Sequence, residues 1–185
     1  MSDRKQQILQ IAIEIIADEG YSSLSMRALA RASGMKLGAL QYHFRTWEVM
    51  LRALVDYIAA AYKKTALDAL YPRGEVPGVR QMAVFLLDDT AGESLSSDRL
   101  WPQLWAMEQV EPLVSELLED IYANYLTNLE RALELEGSQS PRAEALCLMS
   151  LLEGETLFTG RGRRWESDRQ AVREAILEFI DTRYG

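Results

Sequence analysis

Ile8, Ile11, Ala12, Ile15 and Ile16 recur at three- and four-residue spacing near the start of the chain, a pattern that predicts an amphipathic helix in need of a partner surface. Gly20 ends that helix, Tyr21 to Leu24 connect, and Ser25 is placed to cap the next one. In the stretch Ser25–Phe44, SMRALARASGMKLGALQYHF, Leu29 and Ala32 with the flanking Ala28 form a small apolar face, while Arg27 and Arg31 point away. Gly34 closes this second helix, and Met35 packs back under the turn. A third helix, from about Lys36 to Phe44, turns Leu37, Leu40 and Phe44 inward and leaves Lys36, Gln41, Tyr42 and His43 largely outside. Two short helices around a glycine-containing turn make a helix-turn-helix, whose second helix enters the major groove of DNA.

The remaining pattern is helical throughout. Thr46 caps a fourth helix, with Met50, Leu51, Leu54, Ile58, Ala61 and Tyr62 on its buried side as far as about Tyr71. PRGEVPG, Pro72 to Gly78, breaks the chain with two prolines and two glycines. Val79 to Thr90 is helical in pattern and Ala91 to Ser97 is a polar connection. A short helix holds Trp101, Leu104, Trp105 and Met107, and Pro112 opens a long one that Gly137 ends. Ala143–Phe158 and Ala171–Tyr184 are the last two helices, with GRGRRWES between them. No alternating strand pattern or internal repeat occurs, so the expectation is an all-α chain of about nine helices. Residues 1–46 form a helix-turn-helix domain, joined through a shared long helix to a ligand-binding and dimerisation domain, 47–185.

With 48% apolar residues the chain can bury a core. Its net charge of −8 argues at first against a nucleic-acid partner, but the charge is uneven. Residues 1–50 carry six bases against five acids, whereas the rest carry 14 bases against 23 acids. A near-neutral head on an acidic body is compatible with DNA binding at one end. No apolar run reaches the roughly 20 residues of a membrane span, and MSDRKQQ is not a secretory signal, so a cytoplasmic location is expected. One cysteine and one histidine supply neither a disulfide nor an ordinary zinc site, so no metal and no cofactor is expected. Catalysis has little to stand on: the sole histidine lies in the third helix, no nucleophile elbow appears, and Glu153 and Glu155 sit on different helix faces.

The head resembles the TetR/AcrR family of bacterial transcriptional regulators over about Asp3 to Leu54. The family's run of leucine, tyrosine, a variable residue, histidine or tyrosine, and phenylalanine, then lysine and an acid, stands here as Leu40, Gln41, Tyr42, His43, Phe44, Arg45, Thr46, Trp47, Glu48. Gln41 replaces the usual tyrosine, Trp47 the usual phosphate-binding lysine, and Lys36 stands where Ser or Thr commonly caps the recognition helix. LWAMEQVEPLVSELLEDIYANYLTNLERAL and LLEGETLF are similar, more weakly, to the ligand-binding half of the betaine-regulator type. The resemblance implies a homodimeric regulator, a repressor in the first instance, that leaves a palindromic operator when a small molecule binds.

The DNA-contact candidates are Arg27, Lys36, Gln41, Tyr42, His43 and Arg45. An exposed aromatic pair on a short helix favours DNA contact, and glutamine can pair bidentately with adenine. Tyr62, Trp101, Trp105, Tyr122, Tyr125 and Phe158 are each explained as core, but together they are a large aromatic load of the kind that lines a ligand cavity, with Glu108 and Asn128 as polar anchors. Ala145, Leu148, Leu152 and Leu157, with Val172, Ile176, Phe179 and Ile180, offer more apolar surface than one core covers and are expected to form a dimer interface. The partners expected are double-stranded DNA, a small-molecule effector and a second copy. Arg161, Arg163 and Arg164 read as a solvated loop, and Cys147 as an inert residue on an apolar face. The alternative is a helical protein-interaction or effector-binding module that has lost strong DNA binding.

Overall fold

The computed structural model describes residues 3–70, 76–87 and 99–184, and of 65–69 the backbone alone. Among the described residues there are nine α-helices and no strand. They fall into two compact units, one holding the chain up to Lys63 and the segment that ends at Leu118, the other beginning at Lys64 and resuming at Glu119. The expected division after Thr46 is one of function and lies inside the first of these units.

In the first unit, α1 (Asp3–Glu19) buries Ile8, Leu9, Ala12, Ile13, Ile15 and Ile16. The face is wider than the sequence stripe, and Ile11 is only half-buried, because α2 (Met26–Ala32) and α6 (Leu100–Glu108) both pack against this helix. The connection Tyr21–Ser23 is a single 3-10 turn. Ser25 caps α2 as expected, its Oγ accepting from the Ala28 N–H at 3.2 Å. The buried pair on α2 is Leu29 and Ala30, and Ala32 is exposed, a correction to the sequence stripe that keeps Leu29 inside and turns the inner face toward Ala30. Gly34, at φ 66°, closes the helix in a Schellman motif: its N–H reaches the Arg31 carbonyl at 3.1 Å and the Met35 N–H reaches Ala30 at 2.9 Å. Then α3 (Leu37–His43) begins at Lys36, and α4 (Trp47–Leu70) begins at Thr46, whose Oγ1 accepts from the Val49 N–H at 3.3 Å. Leu40, Phe44, Met50, Leu54 and Ile58 are all essentially fully buried.

The second unit is built on α5 (Val79–Leu87), α8 (Pro141–Thr159) and α9 (Arg169–Tyr184), which pack on one another. The long α7 (Pro112–Leu135) contributes its turns from Glu119 onward. Gly137, at φ 80°, ends it with the same two-bond closure as Gly34: Gly137 N–H to Glu134 at 3.1 Å and Ser138 N–H to Leu133 at 2.9 Å. Residues 72–75, the last three of the helical pattern to Thr90 and the polar connection 91–97 lie outside the described residues.

The Glu155 carboxylate is buried within this unit. Arg169 Nε donates to its Oε1 at 2.9 Å, Arg173 Nε at 3.4 Å, and Thr159 Oγ1 at 2.8 Å. A carboxylate out of water must be paired and hydrogen-bonded, so this cluster fastens the first two turns of α9 to the end of α8.

Candidate nucleic-acid interface and effector site

The head arranges its bases unequally. Arg4 on α1 donates to the Ser33 carbonyl at 2.9 Å, tying the first helix to the turn of the helix-turn-helix. Lys5 lies over the Phe44 ring, 5.5 Å from its centroid. These two bases are engaged in holding the head together, while Arg27, Arg31, Lys36 and Arg45 are exposed. Lys36 is the N-cap of α3 and makes no side-chain cap bond, which leaves its ammonium outside the helix start. Gln41 is exposed and Tyr42 is 86% exposed, the largest exposure among the big apolar side chains. His43 is half-buried and meets the Tyr42 ring edge-on at 5.6 Å. Thus all six DNA-contact candidates lie on the helix-turn-helix or the residue just after it, five of them on its outer surface. Trp47 is turned inward instead, its ring 6.3 Å from that of Tyr21.

A polar seam lies behind α1. The Tyr21 hydroxyl donates to Glu111 Oε1, and Arg99 Nη1 pairs with Asp18 Oδ1 at 2.5 Å. Burial, then the bond to Glu111 and its charge, push the Tyr21 phenol well above its ordinary range, so it stays a donor at any working pH. Sequence reading gave these four residues no role, because nothing in local spacing connects Tyr21 with a residue 90 positions on.

The aromatic candidates fall into separate groups. In the first unit, Tyr62 and Trp101 have ring centroids 5.1 Å apart, and Trp101 and Trp105 are 6.3 Å apart. Glu108 follows on α6, half-buried and accepting from Gln109 Nε2 at 3.3 Å. In the second unit, Tyr125 is buried and lies 6.1 Å from the Phe85 ring of α5. Tyr122, one turn earlier, hydrogen-bonds Glu153 of α8. Burial pushes the Glu153 carboxyl up to about 7, only partly offset by the Tyr122 bond. Burial, with the nearby Glu153 charge, pushes Tyr125 up to about 12. Asn128 donates to the Asn124 carbonyl at 2.9 Å, a bond within its own helix. Phe158 is 61% exposed, with its ring tilted against that of Trp165 at 6.4 Å, so it is not part of either buried aromatic group. Glu153 and Phe85 are the members that sequence reading missed.

Five of the eight interface candidates are already covered by their own chain. Ala145, Leu148, Leu152, Ile176 and Ile180 are buried within the single chain, where they hold α8 and α9 together and to α5. Val172 is half-buried and Phe179 is 51% exposed. The apolar groups left outside on α8 are Leu146, Leu151, Leu157 and Phe158. Cys147 is exposed among them, so its neighbourhood is apolar but not interior. Arg161, Arg163 and Arg164 are exposed, as expected, with Arg164 over the Trp165 ring.

Among the described residues no group of histidine, cysteine and carboxylate side chains is arranged to hold a metal ion. No helix there is long and apolar enough to cross a membrane.

Comparison with known proteins adds to this geometry. Residues 8–54 match the family model described as bacterial regulatory proteins, tetR family. The chain is 24% identical over 156 residues to the HTH-type transcriptional regulator BetI of Escherichia coli O139:H28, an alignment covering 83% of this chain and 80% of that one. Its fold is similar to a TetR-family transcriptional regulator from Rhodococcus sp., with TM-score 0.74, 22% identity and 98% of each chain covered. It is equally similar to a transcriptional regulator from Saccharomonospora viridis in complex with choline, with TM-score 0.75, 20% identity and coverage of 98% and 97%. Residues 8–54 are thus a helix-turn-helix domain of the kind found in the tetR family of bacterial regulatory proteins.

Proposed function

We propose that this protein is a homodimeric repressor that occupies a palindromic operator and leaves it when a small molecule binds beyond the head. Residues 1–46 serve DNA binding and 47–185 serve effector binding and dimerisation. The observation that carries the reading is the outer surface of α3, where Gln41 and Tyr42 are presented with nothing of their own unit over them while Lys36, Arg27 and Arg45 stand around. Lys36, Arg27 and Arg45 fit phosphate positioning, and Gln41 and Tyr42 fit base-edge readout. His43 is held at the edge of that surface by Tyr42.

The effector is drawn to aromatic side chains, and the choline found with the regulator from Saccharomonospora viridis is a first compound to try. Linkage sets what it can do: a coupling of roughly 1–3 kcal/mol lowers operator affinity about 5–150-fold, and the operator weakens effector binding by the same factor. A gel shift with the protein's own promoter region, followed by selection from random duplexes, tests the reading. A palindromic consensus is expected, and no retarded band at low salt overturns it. The second reading, an effector-binding module without strong DNA affinity, draws on Trp47. Its indole faces Tyr21 where the family's pattern has a phosphate-binding lysine.

A further inference from the structure

α3 has seven residues and one buried side chain, Leu40, so it is too short to hold itself and has too little packing to fix its own roll. Two neighbouring cations of α1 reach its two ends. Arg4 Nη2 donates to the Ser33 carbonyl at 2.9 Å, in the turn before α3, and Nη1 donates to Gln7 Oε1 at 3.1 Å, one turn on in its own helix. The Lys5 ammonium stands 5.5 Å from the ring centroid of Phe44, the residue directly after α3, whose N–H closes that helix onto Leu40 at 2.9 Å. Consecutive residues on a helix diverge by about 100°, which lets one turn of α1 reach both places. All of these residues belong to the first unit.

The Ser33 carbonyl depends on that donor. Other carbonyls at the end of α2 are served by the turn's own backbone: Leu29 by the Ser33 N–H at 2.9 Å, Arg31 by Gly34 at 3.1 Å and Ala30 by Met35 at 2.9 Å. Ser33 receives its donor from another helix, and a planar guanidinium held at both terminal nitrogens fixes direction as well as distance. The Ser33 hydroxyl, by contrast, is buried with no partner among the described residues. We infer that Arg4, seconded by Lys5, is a positioning residue for base readout: it sets where α3 begins and how it is rolled, without itself touching a base. The inference rests on the reading that α3 reads base edges. A bidentate bond to a base edge tolerates little displacement, so a loosened α3 loses discrimination before it loses the phosphate contacts of Lys36, Arg27 and Arg45.

Two measurements on the full chain test it. The first needs no DNA: amide hydrogen exchange in wild type, Arg4→Met and Ser33→Ala. Loss of the clamp in Arg4→Met is expected to speed the Gly34 and Met35 amides about threefold more than that of Leu54, which reports opening of the core. Ser33→Ala, which keeps the carbonyl, should leave that difference at its wild-type size. Equal acceleration of all three amides in Arg4→Met would make Arg4 a general stabiliser, and the same local acceleration in Ser33→Ala would shift the role to the hydroxyl; either result overturns the inference. The second measurement uses the duplex that wild type selects from a random pool and a scrambled duplex of the same composition, well below the melting temperature. Arg4→Met and Arg4→Lys are both expected to lower the ratio of selected to scrambled affinity about tenfold. Arg4→Lys should keep the wild-type salt dependence and scrambled-duplex affinity, since lysine retains the charge but not the fork. If Arg4→Lys binds like wild type while Arg4→Met weakens both duplexes equally and flattens the salt dependence, Arg4 is a phosphate cation and the inference falls. A wild-type chain that selects no duplex overturns the DNA reading and the readout half of this inference, while the exchange rates still decide the clamp.

Discussion

Glu153 and Glu155 lie two residues apart on α8 in opposite electrical surroundings. Glu155 is ringed by two guanidinium groups and a hydroxyl, and Glu153 by phenols. Removing Glu155 would take a buried carboxylate and its three hydrogen bonds from the junction of α8 and α9, so Glu155→Ala is expected to cost about 1–3 kcal/mol in urea unfolding. Glu153 acts in the other direction. Its folded value near 7 lies above the ordinary 4.5, so below about pH 4.5 both folded and unfolded chains are protonated and no cost arises. Between 4.5 and 7 the unfolded chain loses the proton first, and stability falls as pH rises; above 7 the full cost is felt. Glu153→Gln should therefore be more stable than wild type at pH 8, by on the order of 2 kcal/mol with allowance for partial exposure, and the gap should close toward pH 4.5. Urea melts at pH 5 and pH 8 decide it; a gap that widens at low pH would reverse the assignment. The outward set Lys36, Gln41 and Tyr42 was legible because a seven-residue helix has one inside, fixed by Leu40. The surroundings of Glu153 were not, because periodicity gives a residue its face and not its neighbours, and Tyr122 is some thirty positions away in the chain.

At the scale of elements, the ends of helices were more legible than their faces. Ser25, Gly34, Thr46 and Gly137 each make the cap or closure that their residue type predicts, since capping is a contest among backbone groups a few residues apart. Ile11 and Ala32 were placed wrongly for the opposite reason. How wide an apolar face becomes depends on what packs against it, and α6, 90 residues on, covers part of α1. The turn at Gly34 allows a direct test of the helix-turn-helix. A β-branched residue there must hold φ near 66°, and Gly34→Val is expected to cost about 1–2 kcal/mol or more. DNA affinity should fall with it, because the Met35 bond to Ala30 fixes where α3 begins. On α3 itself, Lys36→Ala should weaken DNA binding and flatten its salt dependence by roughly one unit of log slope with base preference intact, whereas Gln41→Ala or Tyr42→Ala should change preference. If Lys36→Ala altered which base pairs are tolerated in a selection experiment, this division of roles would be wrong.

At the scale of the whole molecule, the question is what covers the outer side of α8 and α9. α8 carries two apolar stripes. The inner one, Ala145, Leu148, Met149 and Leu152, is buried by the chain itself. The outer one runs Leu146 and Cys147, Leu151, Gly154, Leu157 and Phe158, again at three- and four-residue steps, and Gly154 has open space where a side chain would stand. α9 continues it with Ala175 and Phe179, both exposed. A second copy related by a two-fold axis would bury these stripes as a four-helix packing, with Gly154 letting the helices approach closely. Such a dimer also explains why a palindrome is expected, since two recognition helices must meet successive major grooves about 34–36 Å apart. Leu151→Glu with Phe158→Glu should leave the fold intact, since both side chains are outside the core, and should yield a monomer in light scattering at micromolar concentration. That monomer should contact one half-site, losing most operator affinity while keeping its weak non-specific DNA binding. A double variant that stays dimeric would move the interface off α8, and a monomer that still holds the full operator as tightly as wild type would remove the reason for a dimer altogether.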